Sequence, residues 1–396
     1  MLSSDFLITL AEPGSRGPRA PRVAIACSGL GRIRRGNETW AETVAEGLHR
    51  AHSPVTLLGG GRVQGIQCPY ERMASIPREF VLTRGWLSWH HRYLLEQLSA
   101  TASLLLRRRW RDIDILHVAD PDMALQMSKR TKGTGLRVIY KDGLLLGPPF
   151  CRHFDYVQVL APYYLGLAQK QGLDTKNWFV IPHLVNIRRF TPVRDRKAAR
   201  SRVCQGALNP EAFIVLAVGD FSPASNKRLD WIVEEFSRFA RNTPSYLFLA
   251  GQAAGAEFTQ FERQAKSVLG DQVELFCNLK ADEMVSLYQT ADAFAHAALR
   301  EPFGIVFLEA MASGLPVAGH HFPVTEWIMG DGGQAIDMAK PGELAAVLDL
   351  WRRDAALRQS IGNRARRRAE AAFSEEEIVP LYQQMYERVA GEPAVQ

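Results

Sequence analysis

The sequence predicts an α/β protein built from two doubly wound domains, and three observations carry that expectation. At 396 residues the chain is longer than one hydrophobic core usually organises. Short β-branched or apolar runs alternate with longer helical patterns, as in parallel sheets covered by helices. The same strand-helix series occurs twice, with a break between residues 182 and 194.

Taken in order, the first series offers strands at 22–27, 55–58, 113–118, 137–140, 156–160 and 178–181. The second offers strands at 213–218, 246–250, 273–276, 293–297, 316–319 and 334–336. Helical patterns such as 38–50, 229–240 and 342–350 fill the gaps. The last helix, 374–390, carries Ile378, Leu381, Tyr382, Met385 and Val389 on one face, so it packs on something rather than trailing off. The expected layout is a disordered leader at 1–20, a first domain at 21–185, a second at 186–373 and a terminal helix at 374–396. Ligands are expected at the carboxyl ends of the strands.

Composition narrows the class. Hydrophobic content of 46% and charged content of 23% are ordinary for a soluble globular protein. The five cysteines (Cys27, Cys68, Cys151, Cys204, Cys277) show no paired spacing, which reads as reduced thiols in a cytoplasmic protein without a zinc site. The apolar run at 6–10 lacks a basic start and a Pro/Gly/Arg stretch follows it, unlike a secretory signal. No stretch of 18 apolar residues occurs. Residues 1–185 hold 24 Lys+Arg against 15 Asp+Glu, while the remainder holds 24 against 27. The first half therefore faces something anionic, phosphate or a membrane surface. Nucleic acid is disfavoured, because no RNP, helix-turn-helix or zinc-finger pattern accompanies the charge.

The most informative stretch runs from Ala298 to Val317. A strand enters a Pro302-Phe303-Gly304 turn, a helix starts near Gly304, and Ser313-Gly314-Leu315-Pro316 stops it. Backbone N–H groups of Phe303, Gly304 and Ile305 at a helix start suit an anion such as a pyrophosphate. Glu301 and Glu309 bracket the turn; eight helical residues would span about 12 Å, from a sugar across two phosphates to a ribose. On spacing alone, a capped amphipathic helix with solvated glutamates and Ile305, Leu308 and Met311 as core reads equally well.

This segment resembles the E-x7-E donor motif of GT-B-fold retaining glycosyltransferases, in particular glycosyltransferase family 4, and the similarity runs over nearly the whole chain from Arg22. The resemblance implies two Rossmann-like domains facing a cleft, with the terminal helix crossing back to the first. It implies Glu301 beside the donor sugar, Glu309 on the ribose, the following N–H groups on the diphosphate, and no metal or other cofactor. No DxD pair lies in a suitable loop. The run Ile181-Pro182-His183-Leu184-Val185-Asn186 through Phe190-Thr191-Pro192 is similar to the family's interdomain signature.

Further residues follow from the same likeness. Lys227 matches the lysine that neutralises the donor diphosphate. Asp220 stands where the family usually has Arg, and Arg228 is the candidate replacement charge. Gly36 and Glu38 match G-x-E at the first helix start, where Arg32, Arg34 and Arg35 crowd together and read as phosphate ligands or a solvated loop. His117 sits at a strand end as a substrate contact or a core histidine; Ala119 replaces the family's second histidine. Asp120 at that strand end is a candidate for acceptor binding, as is the run Lys141-Asp142-Gly143 at the next one.

The expected activity is retaining transfer of a sugar from a nucleoside diphosphate to a hydroxyl acceptor, whether glycan, lipid-linked or small. A GT-B nucleotide-sugar epimerase, a glycosyl phosphorylase and a non-catalytic nucleotide-sugar-binding subunit are the competitors. Residues 84–95, with Trp86, Trp89 and Tyr93, and the basic run at 107–109 read either as an interfacial helix on anionic lipid or as a core helix with cations at its C-terminal end.

Overall fold

The computed structural model describes residues 20–391, apart from 34, 81–84, 108, 144–145, 205–208, 210, 223–224, 242 and 253–254. The leader through residue 19, Arg34, and positions 84 and 108 of the basic runs lie outside the described residues. The chain forms two compact units, one of Met1–Leu184 with Glu375–Gln396 and one of Val185–Ser374.

The first unit holds β1 (Val23–Cys27), β2 (Val55–Gly59), β3 (Tyr70–Arg72), β4 (Ile115–Val118), β5 (Arg137–Asp142), β6 (Tyr156–Val159) and β7 (Trp178–Val180). They form one parallel sheet in the order β3-β2-β1-β4-β5-β6-β7. β1 is buried along its whole length, so its run of five apolar residues needs no polar face. β3 was not expected from the sequence: Tyr-Glu-Arg is a three-residue edge strand with no apolar alternation.

The terminal helix, Glu375–Gly391, belongs to this first unit. Its apolar face joins the core of Trp40, Val44 and Leu57 through Ile378, Tyr382, Met385 and Val389. The Tyr382 hydroxyl accepts hydrogen bonds from Trp40 Nε1 at 2.8 Å and Gln158 Nε2 at 2.9 Å, so its buried oxygen is satisfied. At the helix start Glu375 takes a two-pronged ion pair from Arg50, at 2.7 and 2.6 Å.

The second unit holds β8 (Phe213–Asp220), β9 (Ser245–Gln252), β10 (Val273–Cys277), β11 (Ala293–His296), β12 (Val317–His320) and β13 (Gly333–Ile336). The parallel order is β10-β9-β8-β11-β12-β13, so the direction of winding reverses between β8 and β11. Phe213, Val215 and Ala217 alternate onto one face, where they meet Ile232 and Phe236 of the helix Leu229–Ala240. Arg366 holds the segment after β7 in place, donating to the carbonyls of Ile187 at 3.0 Å and Phe190 at 2.7 Å.

Cys27, Cys68 and Cys151 are buried free thiols, and Cys277 is half-buried. Among the described residues no helix is long and apolar enough to cross a membrane.

Candidate active site

In the second unit the loops that follow β8 and β11 leave from the place where the winding reverses, the usual ligand position in such sheets. β8 ends on Gly219 and Asp220, and the chain returns through Asn226 and Lys227 to the helix Leu229–Ala240. A Cβ at Gly219 would be crowded, 3.0 Å from Lys227 Cβ and 3.1 Å from Leu229 Cγ. After β11 the chain reaches Glu301, and Asn226 Nδ2 ties the two loops together by donating to Arg300 O at 3.4 Å.

Glu301 is the centre of the arrangement. It is 4% exposed, pairs with Lys227 Nζ through Oε2, and meets His296 Nε2 at 2.8 Å on the same oxygen. Burial alone would raise its pKa; the Lys227 charge and the His296 hydrogen bond outweigh that and hold it down to about 2. The carboxylate is therefore ionised at neutral pH although it is buried. His296 is itself buried, and its Nδ1 has no hydrogen-bond partner.

The helix that follows spans Ile305–Ala312 and starts one residue after Gly304, which has φ +79°. A Cβ at Gly304 would come within 2.8 Å of the Phe307 ring and 2.9 Å of Glu301 Cγ, so glycine is needed for both reasons. Phe303 is buried among Trp327 and Phe373, which fixes the backbone before the helix start. First-turn N–H groups have no acceptor one turn upstream, so positive potential collects here.

One expectation needs correcting. Glu301 precedes the helix and only Glu309 lies on it, so the two carboxylates are not separated by eight residues of helix. Glu309 is oriented by the fully buried Tyr288, whose hydroxyl donates to Oε2 at 2.8 Å.

Arg228, the candidate spare cation, already has partners of its own. It caps the helix Leu229–Ala240 in a left-handed conformation (φ +48°), and its guanidinium pairs with Asp230 at 2.6 Å and lies 3.7 Å over the Trp231 ring. Asp220, in the place of the family's arginine, accepts the Ser222 N–H at 2.9 Å, a local turn contact. Lys227 is thus the cation that the structure brings to Glu301.

In the first unit several expectations change. His117 is a core histidine: fully buried, it shares a 2.9 Å hydrogen bond between Nδ1 and Tyr386 Oη and stands edge-on to Trp40. Burial lowers its pKa to about 3, with the Lys141 charge adding to the effect, so it stays neutral. Asp120 is also internal, accepting from the Ser28 N–H and from Tyr93 Oη at 2.8 Å, which fastens the β1 loop to the helix Trp89–Arg107. Neither offers the acceptor an open atom. Arg32 holds Ser75 through two 2.9 Å bonds, to Oγ and to the backbone carbonyl. Gly36 begins the helix Gly36–Arg50 with open space around it and no positive φ.

Sequence reasoning missed His296 and Tyr288, which position the two glutamates; both sit in apolar runs that read as core. It underrated Lys141, a fully buried lysine whose Nζ donates to Asn37 Oδ1 at 2.8 Å and lies 4.8 Å from the Trp40 ring. Burial lowers its pKa to about 8. His320, His321 and Asp337 also bring possible ligand atoms within 4.8 Å of one another, a cluster that spacing did not suggest. Met338 N–H already donates to His320 Nδ1 at 3.2 Å.

Two Rossmann-like units, with the Lys227–Glu301 ion pair beside the winding reversal of the second, define a GT-B-fold protein. Residues 204–368 match the family described as Glycosyl transferases group 1. A mannosylfructose-phosphate synthase of Agrobacterium fabrum is 32% identical over 174 residues, which is 42% of this chain and 37% of that protein. The chain thus spans little more than a third of that relative's length. The fold matches a sucrose-phosphate synthase of Thermosynechococcus elongatus with a TM-score of 0.78 at 18% identity, covering 94% of this chain and 99% of that one. It also matches HepE of Anabaena in complex with UDP and glucose, with a TM-score of 0.73 at 16% identity, covering 93% and 99%.

Proposed function

We propose that the protein transfers a glycosyl group from a nucleoside-diphosphate sugar to a hydroxyl acceptor, with retention at the anomeric carbon and without a metal or other cofactor. The observation that carries this reading is the buried Glu301 carboxylate, held by Lys227 and His296 beside the start of the helix Ile305–Ala312. The family match of residues 204–368 and the fold shared with a protein solved in complex with UDP support the same donor class.

In this reading the diphosphate lies against the helix start and takes part of the Lys227 charge that Glu301 holds in the pocket. Glu301 accepts from hydroxyls of the donor sugar, and Glu309, set by Tyr288, accepts from the ribose. The bond from the anomeric carbon to the phosphate oxygen breaks as the acceptor oxygen bonds on the same face, and the leaving phosphate takes the acceptor proton. Lys227 and the helix start stabilise the negative charge that develops on the diphosphate.

The test is incubation with UDP-, GDP- and ADP-sugars in chelator, following release of nucleoside diphosphate and the anomeric proton of the product by NMR. Release from one donor class, unchanged by chelator and with the donor's anomeric configuration kept, is expected. Loss of turnover in chelator contradicts metal independence, and an inverted product contradicts retention. Tight nucleotide binding with no turnover of any donor moves the reading to a non-catalytic binding subunit, which Asp220 in place of an arginine favours.

A further inference from the structure

Strand β11 ends on a histidine that its surroundings do not call for. His296 is 2% exposed and pairs along the sheet with Gly319 of β12. Its ring stacks on Phe294 at 6.3 Å and meets Phe307 edge-on at 5.1 Å, and both phenylalanines are fully buried. A leucine would suit that bed, and a ring nitrogen there costs free energy unless it is hydrogen-bonded. Nδ1 has no partner. Among the described residues the one hydrogen bond of this side chain is Nε2 to Glu301 Oε2, at 2.8 Å.

The partner assigns the proton in that contact. Glu301 is ionised and only accepts, so Nε2 carries the hydrogen and Nδ1 is left as the unpaired atom. The histidine therefore bears an orphaned nitrogen for the sake of one contact, and that contact is to the central carboxylate of the site.

Two donors share a single oxygen. Lys227 Nζ and His296 Nε2 both reach Oε2 of Glu301, whereas Oε1 has no hydrogen-bond partner among the described residues and is not sealed from solvent. While Lys227 stays on Oε2, the second donor is redundant for holding the carboxylate. It becomes necessary when a diphosphate draws the Lys227 ammonium away, because two anions then compete for one cation. The lysine stem is flexible and its side chain is 27% exposed, so it can turn. His296, set on a strand and packed against two rings, stays where it is.

We propose that His296 is the positioning residue for recognition of the donor sugar: it keeps Glu301 Oε2 in place after Lys227 turns to the diphosphate, so that Oε1 stays aimed at the sugar hydroxyls. The inference rests on the donor reading above and divides the labour within it. Lys227 serves the nucleoside diphosphate, and His296, acting through Glu301, serves the sugar.

Isothermal titration of the full chain compares two ligands. One is the nucleotide-sugar of the UDP, GDP and ADP panel that the wild type binds, and the other is the same nucleoside diphosphate without its sugar. His296→Leu is expected to bind the nucleotide-sugar about tenfold more weakly and the nucleoside diphosphate within about twofold of the wild type. His296→Gln, whose amide nitrogen takes the place of Nε2, is expected to recover most of the loss. His296→Asn, which puts its amide where Nδ1 stands, is expected to recover none. That pair reads the role even where leucine perturbs folding, and thermal melts accompany all three variants. His296→Leu binding both ligands like the wild type overturns this inference alone. Equal weakening of both ligands, which a merely structural histidine would give, overturns it as well, and so do glutamine and asparagine variants that behave alike. A wild type that binds no nucleotide-sugar fails the donor reading, and this inference with it.

Discussion

Replacing Lys227 by methionine keeps the length of the side chain and removes the charge that Glu301 depends on. The Glu301 carboxylate sits at about 2 against an ordinary 4.5, although burial pulls the other way. A displacement of that size corresponds to roughly 3 kcal/mol; because the Lys227 side chain is 27% exposed, solvent screens part of it, and about 2 kcal/mol is expected. The folded-state pKa is depressed, so this stabilisation is present above the unfolded value of 4.5 and is lost as pH falls toward 2. At pH 7 the Lys227→Met variant therefore melts lower, by about 4–8 °C for a unit of this size. Adding Glu301→Gln removes the stranded buried charge, so the double variant recovers part of the loss. Calorimetric melting of the wild type, both single variants and the double variant closes a mutant cycle. A Lys227→Met protein melting within about 2 °C of the wild type, or a double variant whose losses simply add, would refute the buried clamp.

Other outcomes follow from neighbouring residues. Gly304→Ala forces a side chain into a left-handed position against Phe307 and Glu301, so it should cost about 1–2 kcal/mol and weaken donor binding together; a thermal melt and a titration that both stay unchanged contradict the role given to the turn. Glu309→Ala should lower donor affinity about tenfold, and Tyr288→Phe, which removes only the 2.8 Å contact to Glu309, should lower it less; unchanged affinity in Glu309→Ala refutes the ribose assignment. His117, neutral with its pKa lowered to about 3, lets the unfolded chain take up its proton first. Stability therefore falls as pH drops from 6.5 toward 3, by up to about 1.4 kcal/mol per pH unit from this group, and His117→Gln should flatten that acid limb; coincident limbs in melts from pH 7 to 4 contradict it.

The alternation of strand and helix was legible because parallel strands buried on both faces read as unbroken apolar runs, as β1 and β8 do. Glu301 and the Gly304 turn were legible because they lie in one short segment, whereas Lys227, 74 residues away, was marked only by the family resemblance. The positioning residues were not: His296 and Tyr288 act through contacts that only folding makes, and an isolated histidine or tyrosine in an apolar run carries no mark of its partner. His117 and Asp120 were placed correctly at the end of β4, but strand position does not say whether a side chain faces an opening or meets Tyr386 and Tyr93. Arg228 looked available beside Lys227, yet Asp230 two residues on takes it. The helix Trp89–Arg107 left two readings open, because its periodicity gives a face without saying which way the face points; the buried Arg78–Glu96 pair, which sets that orientation, forms only on folding.

The central claim is a nucleoside-diphosphate site built on Lys227, Glu301 and Glu309. Isothermal titration of the full chain with UDP-, GDP- and ADP-sugars tests it most directly. The account predicts that one of the three binds with a dissociation constant between about 1 µM and 1 mM, that Lys227→Met weakens it by at least about tenfold, and that Leu98→Ser, at an exposed position of the first unit, leaves it unchanged. Binding of no donor, or binding that Lys227→Met does not weaken, would contradict it.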